Sequence, residues 1–174
     1  ELEKLVSKIF GKKYGLMVNS GSSAIILALE TINLKKGDEV IIPCLNFGTA
    51  LSALVKKELT PILVDIDIET LQIDINKIEN AISKKTKALM IPNLIGNTPD
   101  WIKINKIAKK YKLKIIEDSA DTLGATINKK PTGVFSDISI TSFYGSHLIS
   151  CGGNGGIMMT NKKEYFLKAK VLRS

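Results

Sequence analysis

The only histidine of the sequence, His147, lies in a loop of small and apolar residues, SFYGSHLISCGG. An imidazole there could move protons, because histidine changes its charge near neutral pH. A structural histidine with satisfied hydrogen bonds is the alternative, and position alone favours it. Which of the two applies therefore depends on the residues that the fold brings near His147.

A predicted buried strand, KIIED, ends on two carboxylates, Glu117 and Asp118. Asp121 follows three residues later. A carboxylate at the end of a buried strand is costly unless a cation compensates it. A protonated ring nitrogen of a bound cofactor would be such a cation. A helix-capping or ion-paired aspartate is the alternative interpretation.

Serines mark two further loops. In NSGSSA, Ser22 and Ser23 open a predicted helix after a strand, where free backbone amides and the helix dipole favour an anion such as phosphate. Neither GxxxxGK nor GxGxxG is present, and an ordinary capped helix start is the alternative. Ser142 precedes His147 in SFYGSH, and its hydroxyl would complete an anion pocket.

The segments that must position these residues alternate between apolar strands and helices, which predicts a mainly parallel sheet covered on both faces. Two closer strands around the glycine-rich turn bring the predicted sheet to seven strands. Ligands in such sheets bind at the carboxyl ends of strands, where the serines, the carboxylates and His147 all fall. The first five strands are YGLMVNSG, EVIIP, TPILVDID, KALMIPN and KIIED.

Two helices are predicted in more detail. Asn76 suits the N-cap of a helix that runs through Ile82. The opening helix is amphipathic, with apolar residues at helical spacing: Leu2, Leu5, Val6 and Ile9.

Composition excludes several classes of protein. With 174 residues and 44% hydrophobic residues the chain can build a core, and its apolar runs are too short to cross a bilayer. The net charge of +8 is spread over lysines on several helices without aromatic interleaving, so a nucleic-acid partner is not expected. Cys44 and Cys151 lack metal-ligand spacing, so we expect no metal site and a reducing, cytoplasmic location.

The two ends of the sequence bear on whether the chain is part of a longer protein. The first residues already predict a helix, and the last predicted helix stops at Ser174. We therefore expect residues 1–174 to be a fragment of a longer protein.

In this order, the motifs NSGSSA, EVIIPCLNF, GNTPD, EDSADTLG and SFYGSH resemble the DegT/DnrJ/EryC/StrS family of sugar aminotransferases and dehydratases. The resemblance covers essentially the whole chain. It implies the type I fold of pyridoxal-phosphate-dependent transferases, with residues 1–174 as the cofactor-binding large domain and the small C-terminal domain absent. It further implies a homodimer.

The resemblance also implies roles for the serines and for an aromatic residue. Ser22 and Ser23 would hold the phosphate of pyridoxal phosphate or pyridoxamine phosphate, aided by Ser142. Phe47, in PCLNF, matches the aromatic residue that stacks on the pyridine ring.

The same resemblance implies that Asp118 pairs with the protonated ring nitrogen, which keeps the ring an electron sink. Asp121 takes the place where aminotransferases of the family usually have glutamine, near the ring hydroxyl. His147 stands where those aminotransferases have the lysine that binds the cofactor covalently. An imidazole cannot form a stable imine, so ordinary transamination is not expected.

This exchange is similar to that of the nucleotide-sugar 3-dehydratases, which use pyridoxamine phosphate. The resemblance then implies removal of the hydroxyl at carbon 3 from a nucleotide-linked 4-keto-6-deoxyhexose, in 3,6-dideoxysugar and lipopolysaccharide biosynthesis, with His147 and Asp118 as catalytic residues. An iron–sulfur reductase or glutamate would be the second partner. The alternatives are a family member that acts on another keto sugar and a catalytically silent homologue.

Overall fold

Seven strands form one sheet in the computed structural model, which describes all of residues 1–174. They are β1 (Tyr14–Val18), β2 (Glu39–Pro43), β3 (Thr60–Val64), β4 (Thr86–Pro92), β5 (Lys114–Asp118), β8 (Ile138–Ser142) and β9 (Gly156–Thr160). The short strands β6 (Thr126–Ile127) and β7 (Lys130–Pro131) form a separate hairpin.

The spatial order of the large sheet is β1-β9-β8-β5-β4-β2-β3. Strand β9 runs antiparallel to both of its neighbours, and the other pairings are parallel. The predicted mainly parallel sheet of seven strands is therefore confirmed.

Six helices accompany the sheet. They are α1 (Leu2–Ile9), α2 (Gly21–Thr31), α3 (Gly48–Lys56), α4 (Ile75–Ile78), α5 (Trp101–Tyr111) and α6 (Lys163–Arg173). None of them combines the length and the apolar character that a membrane crossing requires.

Both faces of the sheet are buried, which explains why its central strands are continuously apolar. On one face, side chains of α2, α3 and α6 pack with Val40, Met90 and Ile116. On the other face, α4 and α5 pack with strand residues such as Leu89 and Ile115. The predicted cover of helices on both faces is confirmed.

Pairing between strands fixes where their carboxyl ends lie. Asp118, the last residue of β5, is in register with Pro92 at the end of β4 and with Ile140 of β8. Successive residues of a strand point to opposite faces. Glu117 and Asp118 therefore face different sides of the sheet.

The structure corrects two details of the predicted helices. Asp74, not Asn76, is the N-cap of α4, because its carboxylate accepts a hydrogen bond from the Asn76 N–H. The helix ends at Ile78 and continues as a 3₁₀ turn, Glu79–Ala81, instead of reaching Ile82 as α-helix.

On α1 the predicted apolar face is only partly buried. Val6 and the following Phe10 pack with Phe143, Ile157 and Met159, whereas Leu2, Leu5 and Ile9 stay exposed. The helix meets the outer strands of the sheet with one narrow stripe, so the rest of its apolar face stays at least 40% exposed.

The contact between β9 and the start of α2 gives a test of packing. A Cβ added at Gly156 would collide with the Ser20 carbonyl oxygen and lie 2.6 Å from the Gly21 nitrogen, both backbone atoms. We predict that Gly156→Ala lowers the free energy of unfolding by about 1–3 kcal/mol, measured by urea denaturation. Gly48→Ala is the matched control, because nothing lies within 4 Å of its added Cβ. An unchanged urea midpoint for Gly156→Ala would contradict the packing described.

Candidate active site

A cavity of about 470 Å³ opens at the carboxyl ends of the parallel strands. Its wall includes the start of α2, the residues after β2, β4 and β5, and the loop between β8 and β9. Six of the seven predicted site residues line it: Ser22, Phe47, Asp118, Asp121, Ser142 and His147. No lysine lines it.

Ser23 is the predicted site residue that lies outside this cavity. It borders a shallower groove of about 600 Å³ near α6 instead. Ser20, the N-cap of α2, accepts a hydrogen bond from the Ser23 N–H at 3.1 Å, and the two hydroxyls are also 3.1 Å apart. The amide of Ser23 is thus engaged locally, whereas its hydroxyl accepts from Ser20 and keeps its own proton, so its predicted contact with phosphate stays a prediction.

The start of α2 presents its first amides to the cavity through Gly21 and Ser22. Amides at this position have no partner within the helix, and the helix dipole favours an anion beside them. A Cβ at Gly21 would lie 2.8 Å from the Cβ of Ser142, so the glycine lets Ser142 approach closely. The Ser142 Oγ accepts from the Tyr144 N–H at 3.2 Å, which leaves its own proton for another acceptor.

Asp118 is only 6% exposed, and it faces the cavity. The one hydrogen bond to its carboxylate comes from the Ala120 N–H at 3.1 Å. Burial raises the pKa of Asp118 from 3.8 to about 6, although the Ala120 N–H lowers it; Asp121 and Glu117 add to the rise. Within this chain no cationic group forms a hydrogen bond with the Asp118 carboxylate. A cationic group of a molecule bound in the cavity could reach it.

His147 and Asp121 form a pair. The Nδ1 atom of His147 lies 3.0 Å from Oδ1 of Asp121, and the other oxygen of Asp121 accepts from the Ile95 N–H at 3.2 Å. A neutral imidazole that donates from Nδ1 has a free acceptor at Nε2. Asp121 therefore sets the orientation of the ring and makes Nε2 the atom available for proton transfer.

The conformation of Ile95 is a feature that the sequence did not reveal. This β-branched residue has φ 50° and ψ 33°, in the left-handed region. Such residues are strained there, and strain of this kind concentrates at functional sites. The strained turn directs the Ile95 N–H to Asp121.

Phe47 lies at the start of α3, and its residue surface is 69% exposed. A large aromatic side chain with so little cover offers a flat apolar face to whatever enters the cavity. This position agrees with the predicted stacking role, which the structure itself does not test.

Glu117 points away from the cavity and is fully buried. It accepts hydrogen bonds from Asn93 and from three serine hydroxyls. Asn93 itself lines the cavity, and its side-chain oxygen accepts from the Trp101 indole at 2.8 Å. Sequence reasoning missed Asn93, and its position just after β4 was the available signal.

A family model described as the DegT/DnrJ/EryC1/StrS aminotransferase family matches residues 1–174. The chain belongs to this family. The predicted membership and the predicted fold are both confirmed.

Several relatives of the chain carry the names of nucleotide-sugar enzymes. It is 36% identical to the GDP-4-keto-6-deoxy-D-mannose 3-dehydratase of Escherichia coli O55:H7 over 95% of this chain and 44% of that protein. It is 35% identical to the GDP-perosamine synthase of Caulobacter vibrioides over 99% of this chain and 46% of that protein. Because the relatives carry the names of different enzymes, membership of the family does not show which of their reactions this chain catalyses.

A solved structure of the E. coli GDP-4-keto-6-deoxy-D-mannose 3-dehydratase with bound hydrated pyridoxal phosphate superposes with a TM-score of 0.89 at 37% identity. The match covers 94% of this chain and 43% of the other. The chain thus spans less than half the length of these relatives. The cofactor in that neighbour agrees with the predicted cofactor of this chain.

The buried carboxylate predicts an effect on stability that depends on pH. In the folded protein Asp118 binds its proton more tightly than in the unfolded chain, since its pKa is raised to about 6. The cost of its ionised form therefore appears as the pH rises from about 4 to 6 and is complete above that range. Asp118→Asn cannot ionise and keeps an oxygen for the Ala120 N–H.

We predict that Asp118→Asn stabilises the cofactor-free protein by about 2–3 kcal/mol at pH 7.5 and by almost nothing at pH 3.5, measured by urea denaturation. Asp100→Asn is the control, because it replaces the half-buried N-cap of α5 by another good N-cap. Equal stability of Asp118→Asn and the unmodified protein at pH 7.5 would show that burial costs Asp118 little.

Proposed function

We propose that the protein is a pyridoxamine-phosphate-dependent 3-dehydratase that acts on a nucleotide-linked 4-keto-6-deoxyhexose. The observation that carries this proposal is the pair of His147 and Asp121 in a cavity that no lysine lines. A lysine is needed to hold the cofactor as an imine, whereas an oriented imidazole suits proton transfer to a cofactor that is bound noncovalently.

The residues present fit the cofactor. The amides of Gly21 and Ser22 and the hydroxyl of Ser142 offer donors to its phosphate at the start of α2. Phe47 offers its ring face, and Asp118 offers a buried carboxylate to a protonated ring nitrogen. When bound, the cofactor supplies an electron sink for the reacting carbon.

His147 would serve as both base and acid. Its Nε2 would accept a proton on the side of the bound cofactor and would then give one to the hydroxyl that leaves carbon 3 of the sugar. Asp121 holds Nδ1 and so keeps the same nitrogen in place for both transfers. A catalytically silent homologue would not need this pair together with Asp118 and Phe47.

The remaining partners follow from the same proposal. Glutamate would restore the amino group of the cofactor in a hydrolytic branch, and an iron–sulfur reductase would act in the alternative branch. We propose in addition a homodimer, completed by a C-terminal domain, and a cytoplasmic location that supplies the nucleotide sugar. Biosynthesis of a 3,6-dideoxysugar for lipopolysaccharide is the pathway that such a reaction serves.

Turnover of GDP-4-keto-6-deoxymannose by the full-length protein tests the activity, with pyridoxamine phosphate and glutamate present. We expect a 3-deoxy product by mass spectrometry. His147→Asn should lower turnover by about a hundred- to ten-thousand-fold while its affinity for pyridoxamine phosphate stays near normal. Full turnover in His147→Asn would return this residue to a structural role, and transfer of the amino group to carbon 4 without loss of the hydroxyl would favour an aminotransferase.

The aromatic face is tested by cofactor affinity alone. We predict that Phe47→Ala weakens binding of pyridoxamine phosphate by about fivefold, which corresponds to roughly 1 kcal/mol for a lost stacking contact. Leu51→Ala, an exposed apolar position on the same helix that does not line the cavity, is the control. Unchanged affinity in Phe47→Ala would mean that the ring does not stack on the cofactor.

A further inference from the structure

We propose that Glu117 is a positioning residue whose buried charge strengthens the hold of Asp118 on the protonated ring nitrogen of the cofactor, although Glu117 lies on the far side of the strand. The inference rests on the proposed cofactor. It concerns a residue that faces away from the cavity, so a role for Glu117 cannot come from direct contact with the sugar.

Both carboxyl oxygens of Glu117 are held by hydrogen bonds. Oε1 accepts from the Asn93 side-chain amide and from the Ser119 hydroxyl, both at 3.0 Å. Oε2 accepts from the Ser139 hydroxyl at 2.6 Å and lies 3.2 Å from the Ser136 hydroxyl. Four donors thus surround a side chain that has no solvent exposure.

A buried lysine, Lys12, lies near Glu117 and contacts the same serine, Ser136. Lys12 is 6% exposed, and its Nζ donates to the Ser136 carbonyl at 2.6 Å and to the Ser136 hydroxyl at 3.2 Å. Ser136 thus bridges the ammonium group and Glu117. Burial lowers the pKa of Lys12 to about 8, while Glu117 and Asp137 raise it and Lys162 lowers it further. Lys12 is therefore mostly protonated at neutral pH.

Glu117 and Asp118 are consecutive, so the two charges stay close even though their side chains diverge. The charges of Asp121 and Glu117 both disfavour the ionised form of Asp118, and that of His147 favours it. A negative charge that makes Asp118 bind a proton more tightly also favours a cation, such as a protonated ring nitrogen, placed beside the Asp118 carboxylate. Glu117 is the one of these groups that is fully buried and therefore screened least by solvent.

The chain offers a conservative variant. In Glu117→Gln, the side-chain oxygen can still accept hydrogen bonds from Asn93 and Ser119. The new amide group can donate to the hydroxyl oxygens of Ser136 and Ser139. The double variant Lys12→Met, Glu117→Gln also removes the buried cation that would lose its counter-ion. Asp137→Asn is the matched control, because Asp137 is likewise near Lys12 but pairs with Lys162 at 2.7 Å and is not among the main influences on the pKa of Asp118.

The titration of the Asp118 carboxyl in the cofactor-free protein, followed by ¹³C NMR, gives the first readout. We expect its midpoint to fall by about half to one pH unit in Glu117→Gln and, by a smaller amount, in the double variant. In Asp137→Asn the midpoint should not move. Equilibrium binding of pyridoxamine phosphate at pH 7.5 is the second readout, with an expected loss of about three- to tenfold in Glu117→Gln.

An unchanged midpoint and unchanged cofactor affinity in a folded Glu117→Gln or double variant would overturn the inference and leave Glu117 a structural residue. The proposed dehydratase activity would be unaffected by that result. Conversely, absence of sugar turnover in the unmodified protein would refute the proposed function, while the midpoint of Asp118 would still report whether Glu117 acts on it.

Discussion

The charge of Asp118 is the constraint on which the structure around the cavity depends. The sheet is covered by helices on both faces, so the end of β5 is removed from water and a carboxylate there is costly. The raised pKa of Asp118 expresses that cost. Under the proposed function a cationic ring nitrogen would offset that cost, so the stability lost in the empty state would be regained as affinity for the cofactor.

The topology of the sheet explains why residues far apart in sequence share one cavity. Parallel strands place their carboxyl ends at one edge, which brings Phe47, Asn93 and Asp118 together after β2, β4 and β5. Strand β9 then returns antiparallel beside β8, so that the loop between them carries His147 over the same edge. Gly156 at the start of β9 packs against the backbone that leads into α2, and this contact ties the histidine loop to the start of that helix.

Much of this arrangement could be predicted from the sequence, because continuous apolar segments between helices identify buried parallel strands. The strand ends then located Asp118, Ser142 and His147. The sequence could not show that Ser23 is engaged by Ser20, since both serines suit a helix start equally well. Nor could it show that Asp121 turns to His147: that pairing depends on the left-handed turn at Ile95, which nothing in the composition of the segment requires.

Covalent attachment of the cofactor tests most directly the central claim that His147 works in place of a lysine. The full-length protein is incubated with pyridoxal phosphate, reduced with borohydride and mapped by peptide mass spectrometry, beside His147→Lys. We predict no stoichiometric adduct on the unmodified protein and one adduct at position 147 in the variant. A stoichiometric adduct on a lysine of the unmodified protein, lost together with the cofactor when that lysine is replaced, would contradict the account.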